Sequence, residues 1–143
     1  MGISGLLPIL TSKKIHLREF YGKVAAVDIH CWLHKSISIH CEDIALKRGD
    51  LTRCINSCLL FVNILNDHNI TPLLVFDGRK FPLKVVNTER ERVRNENLRI
   101  GLELWNRGLH NEARKHFKMG VSVGQDLISG LINECRRRKI THG

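Results

Sequence analysis

The run VAAVDIHCW, residues 24–32, opens with consecutive small and β-branched apolar side chains, the pattern of a strand buried on both faces, and Asp28 stands where that strand should end. A second such run, TPLLVFDG at residues 71–78, is opened by Pro72 and closed by Gly78, and it too ends on a carboxylate, Asp77. Between them the period changes. From Asp50 and Leu51 to about His68, the residues Ile55, Leu59, Val62 and Leu65 recur at spacings of three or four, which predicts an amphipathic helix. Strand, helix, strand is a crossover unit that joins parallel strands by a right-handed path. Asp28 and Asp77 are therefore expected at one carboxyl edge of one sheet, where open α/β sheets place their sites.

After Pro82 the apolar positions thin out. The stretch VVNTERERVRNENLRIGLELWNRG, residues 85–108, keeps helical spacing but has too few apolar residues for a packed core helix, so it is expected to project from the body. A second helix, NEARKHFKMG at 111–120, follows a break at Gly108, and a third runs over about 122–138 with Leu127, Leu131 and Ile132 on its apolar side. No repeat, low-complexity tract or linker interrupts the chain. The expectation is one α/β domain over 1–143 with a parallel sheet: a body at 1–81, a basic helical arch at 82–120 and a terminal helix at 121–143.

Composition changes this picture in one respect. Hydrophobic and charged fractions of 43% and 26% are ordinary for a globular protein and argue against disorder or a coiled coil. Charge, however, is lopsided: the net +9 divides into +3 over residues 1–83 and +6 over 84–143. A polyanionic partner is one reading, and a solvated helical surface laced with i,i+4 pairs is the other. No apolar run reaches the roughly 20 residues that span a bilayer, and the start MGISGLLPIL has no basic region before an apolar core, so neither membrane insertion nor secretion is expected. Leu6 stands where a myristoylation signal needs Ser or Thr. The five cysteines are odd in number and none is paired as C-x-x-C; they read as reduced thiols. A zinc site among them and His30, His34 and His40 lacks the usual spacing.

Two aspartates at the ends of adjacent buried strands are costly unless something positive lies between them, and a divalent cation is the economical answer. Magnesium takes a few carboxylate oxygens plus waters, and a pair of such ions suits phosphodiester hydrolysis. The alternative is that each aspartate only caps the helix after it. Spacing alone leaves both open.

The succession MGISGLLPIL, VAAVDIHCWLHK, PLLVFDGRKFPLK and an Arg-rich helix resembles the N-terminal nuclease region of the XPG superfamily, with WLHK and EARKHF pointing to its exonuclease-1 branch. The resemblance implies a partial PIN-like nuclease domain that binds DNA and hydrolyses it with two Mg2+ ions, acting in the nucleus in repair or recombination. Its substrates would be 5′ flaps, nicks and recessed or gapped duplex ends, cut by a 5′ to 3′ exonuclease with flap endonuclease activity. Asp28 and Asp77 then match metal-binding aspartates, and Lys84 and Arg90 match a basic pair at the scissile phosphate. Gly2 matches a close backbone approach to DNA. His34 and Lys35 match residues near the 5′ nucleotide, where a ring stacks on a base, while Trp32 belongs to the apolar junction and is expected in the core.

The chain departs from the family pattern twice. Lys84 to Arg90 is six residues where the family has seven, which brings Arg92 and Arg94 forward as substitutes or phosphate contacts. The family continues after the third helix into another strand and an acidic segment that completes the metal cluster, whereas this chain ends at KITHG. A DNA-binding fragment without catalysis, or a protein-interaction module using the last helix, are accordingly the competing readings, with a missing C-terminal catalytic region as the packing partner. The RRRK run at 136–139 reads either as an import signal or as a basic helix end.

Overall fold

The computed structural model of the chain describes residues 3–49, 51–77, 88–141 and 143. Strands β1 (Val24–Asp28) and β2 (Thr71–Val75) pair in parallel, in register from Val24 opposite Thr71 to Asp28 opposite Val75. The helices are α1 (Ile29–Ile39), α2 (Cys41–Ala45), α3 (Thr52–Asp67), α4 (Thr88–Asn106), α5 (His110–Gly120) and α6 (Gln125–Arg137). Short 3-10 turns at Leu7–Ile9 and Leu17–Phe20 precede β1.

The crossover helix α3 covers the residues its periodicity marked, and it buries Cys54, Cys58, Leu59 and Val62 against Ile29, Leu33 and Ile37 of α1. Leu74 from β2 and Leu127, Leu131 and Cys135 from α6 close the same core. Burial of this apolar surface is the main stabilising term. The third helix starts at Gln125, three residues later than its pattern predicts. Val121 and Gly124 are extended, with ψ of 150° and 164°, and Gly124 is the N-cap. Helix α2 carried no periodic signal, since five residues are too short to show one.

The sheet corrects one expectation. Its strands are not buried on both faces: Val27 and Leu74 face the helical core, whereas Val24 is 67% and Val75 44% exposed. An apolar run fits a doubly covered strand, but the described helices pack on one side only. The outer edge of β2 is engaged. Leu74 N–H donates to the Thr141 carbonyl at 3.1 Å, Gly143 N–H to the Leu74 carbonyl at 2.9 Å, and Phe76 N–H to the Gly143 carbonyl at 2.9 Å. That alternation is the start of a third parallel ladder beside β2.

Helix α4 lies along α5 in a close hairpin that turns at Gly108, whose φ of +81° is the left-handed conformation that glycine adopts without strain. The two helices approach so nearly that a Cβ at Gly101 would stand 2.6 Å from the buried Phe117 ring, and one at Gly120 would stand 2.7 Å from Leu98. The hairpin is tied to the body through α2. Arg114 pairs with Glu42 at 3.1 Å, and the Arg48 guanidinium lies 5.7 Å from the Trp105 ring centre.

Candidate active site

Asp28 ends β1 and begins α1, because a short carboxylate side chain can accept from the exposed N–H groups of a first helical turn. Its Oδ1 accepts the His30 N–H at 3.0 Å. Capping is therefore real, but it engages one oxygen. Asp77 lies two residues past the end of β2. Its main-chain N–H donates to His30 Nε2 at 3.3 Å, and its Oδ2 lies 3.7 Å from that nitrogen. The parallel pairing thus brings both aspartates to one edge, with His30 between them.

The reason first given for a cation there needs correcting. Asp28 is exposed and the Asp77 side chain is 83% exposed, so neither carboxylate is forced by burial to seek a counter-charge. What remains is that both carboxylates stand at one sheet edge, Asp77 two residues beyond Val75, the ladder partner of Asp28. Among the described residues no group of three or more His, Cys, Asp or Glu is arranged to hold a metal. The two aspartates are at most part of a ligand set, and the imagined zinc site is not assembled from the described His and Cys residues.

The other sequence candidates divide. Gly2 and Lys84 lie outside the described residues. His34 and Lys35 are exposed on α1; His34 follows His30 by one turn and shares its face, and the Lys35 ammonium sits 5.6 Å from the Phe61 ring centre. Trp32 stacks on Phe61 at 5.0 Å against the core, as expected of it. Arg90, Arg92 and Arg94 occupy the first two turns of α4. At about 100° per residue, Arg90 and Arg94 share a face and Arg92 points nearly opposite, where it pairs with Glu89 at 2.7 Å. Arg94 is half-buried and lines a hollow with Glu91, Asn95 and Ser122. Sequence reasoning gave His30 no role at the aspartates. The two are joined only by strand register, so the sole local signal was its place two residues after a strand-ending Asp.

The XPG N-terminal domain family matches residues 1–98, a stretch that holds both aspartates and all three arginines. The chain belongs to that family. Among relatives of this XPG N-terminal domain, Exonuclease 1 of Drosophila melanogaster is 38% identical over 143 residues, covering 98% of this chain and 19% of that protein. Exonuclease 1 of Danio rerio is 35% identical over 144 residues, 98% of this chain and 18% of that protein. Flap endonuclease 1 of Caldivirga maquilingensis is 27% identical over 128 residues, 86% of this chain and 37% of that protein. The XPG N-terminal domain described here thus spans about a fifth of the length of the Exonuclease 1 relatives it matches.

Proposed function

We propose that this chain supplies the Asp28–Asp77 portion of a structure-specific 5′ nuclease, a 5′ to 3′ exonuclease on double-stranded DNA with flap endonuclease activity, serving DNA repair and recombination in the nucleus. The observation that carries the reading is the meeting of Asp28 and Asp77 at one carboxyl edge, linked by His30, in a chain of the XPG N-terminal domain family. Asp28 and Asp77 hold Mg2+, of which the complete site takes two ions. When bound, such ions supply an activated water and stabilise the departing oxygen. Lys84 and Arg90 address the scissile phosphate and offset its developing charge. Arg94, on the same face of α4, extends that contact; Arg92 meets backbone phosphates from the other side. Gly2, His34 and Lys35 receive the 5′ strand, with flaps, nicks and recessed or gapped ends as the substrates. The ladder that Thr141 and Gly143 begin beside β2 supports packing of a C-terminal catalytic region along that edge.

A second reading, DNA binding without cutting, draws on the same site: two carboxylates are few ligands for two ions. The discriminating experiment uses a 5′-labelled flap and a recessed-end duplex with Mg2+ or EDTA, beside Asp77→Ala. Metal-dependent cleavage that disappears in the variant supports the nuclease. Salt-sensitive binding with no cleavage supports the second reading, and neither binding nor cleavage rejects both.

A further inference from the structure

His30 reaches from the first turn of α1 to the segment after β2, across 47 positions of the chain. Its Nε2 accepts the Asp77 main-chain N–H at 3.3 Å. The distance from the same Nε2 to Asp77 Oδ2, 3.7 Å, is too long for a hydrogen bond. The ring therefore hydrogen-bonds to the main chain of Asp77, with the carboxylate oxygen Oδ2 near it but beyond hydrogen-bond reach. At its other end His30 donates its own N–H to Asp28 Oδ1 at 3.0 Å. The ring is the sheltered member of the pair, 20% exposed against 83% for the Asp77 side chain.

We propose that His30 is a positioning residue for the cation site: its imidazole fixes the main chain at Asp77 relative to Asp28, so that the two carboxylates meet one ion without rearranging. The assignment rests on the nuclease reading above. Its physical basis is pre-organisation. A ligand whose backbone is already fixed loses less conformational freedom when the ion binds, and partners one bond removed from a metal ligand commonly change affinity by about 10–100-fold when lost.

The test compares wild type with His30→Leu, which keeps bulk but has no acceptor, and with His30→Gln, whose side-chain oxygen can accept the same N–H. Asp77→Asn serves as the control. Two quantities are read on each protein: Mn2+ affinity, by electron paramagnetic resonance of the free ion, and exchange of the Asp77 amide proton, by NMR without metal. His30→Leu is expected to weaken Mn2+ binding by about tenfold and to speed Asp77 exchange, with Gln restoring both. If His30→Leu does not fold, His30→Asn, polar but too short to reach, takes its place. Wild-type Mn2+ affinity in the Leu variant, with affinity lost in Asp77→Asn, overturns the role of His30 and leaves the cation site standing. Should Asp77→Asn bind Mn2+ as wild type does, the cation reading itself fails. An Asp77 amide equally protected in wild type and His30→Leu overturns the positioning role by itself, whatever the Mn2+ result.

Discussion

The packing of α4 on α5 decides where the arginines of α4 stand, and Gly120 is its tightest point on the Arg94 side. A methyl group added there would lie 2.7 Å from Leu98 Cγ, 2.9 Å from its Cδ2 and 3.0 Å from the Arg94 carbonyl oxygen. Ordinary carbon–carbon contact is about 3.5–4.0 Å, so the helices must separate by roughly 1 Å or Leu98 must leave its rotamer. Overpacking of this kind costs about 1–3 kcal/mol. Alanine is a better helix former than glycine by up to about 1 kcal/mol, an offset reduced here because Gly120 is the last residue of α5. The expected net loss for Gly120→Ala is about 1–2 kcal/mol, a fall in melting temperature on the order of 3–10 °C for a domain of this size. Circular dichroism at the helix band measures it. Gly143→Ala is the control, because a Cβ there meets nothing within 4 Å and the residue caps no helix. A Gly120→Ala protein that melts at or above wild type would refute the close α4–α5 packing and with it the placement of Arg94.

Three further outcomes follow from named contacts. Cys31 is exposed, whereas Cys41, Cys54, Cys58 and Cys135 are buried, and burial pushes the Cys54 and Cys58 thiols up to about 11 and about 12. A thiol-reactive dye at mildly alkaline pH should therefore label Cys31 at once and the other four only on unfolding. Glu134 is held down at about 2 by hydrogen bonds from Arg137 and then Arg138. Because its folded value lies below the ordinary 4.5, the stability it contributes is present above that value and disappears as pH falls toward 2. Wild type and Glu134→Gln should converge across that window, and more readily at high salt because the pair is exposed. If Arg94 contacts a phosphate, Arg94→Gln should reduce the slope of log affinity for duplex DNA against log salt by about 0.9, and an unchanged slope removes it from the interface.

Much of the body was legible because its signals are local. The β-branched run at 24–28 and the three-to-four spacing through Ile55, Leu59 and Val62 each specify an element without reference to the rest of the chain. The parallel pairing then followed from crossover geometry. What was not legible depends on contacts between distant segments. An apolar strand reads the same whether one face or both are covered, so the exposure of Val24 and Val75 had no counterpart in the pattern. The carboxylates were picked out by type and position, but the burial argument for a cation failed because it inherited that error. His30 was counted only among the histidines of the rejected zinc grouping. Its link to Asp77 exists only once β1 and β2 are in register. The six-residue gap from Lys84 to Arg90 left the choice of arginine open; helical phase sets Arg92 apart from Arg90 and Arg94 without deciding it.

The central claim is that Asp28 and Asp77 form a cation-binding pair, and paramagnetic broadening by Mn2+ in two-dimensional NMR tests it most directly. The account predicts that amides of residues 28–30 and 76–77 broaden first at substoichiometric Mn2+, and that Asp28→Asn or Asp77→Asn abolishes the effect. Broadening centred instead on the exposed glutamates of α4, or unchanged in both variants, would contradict it.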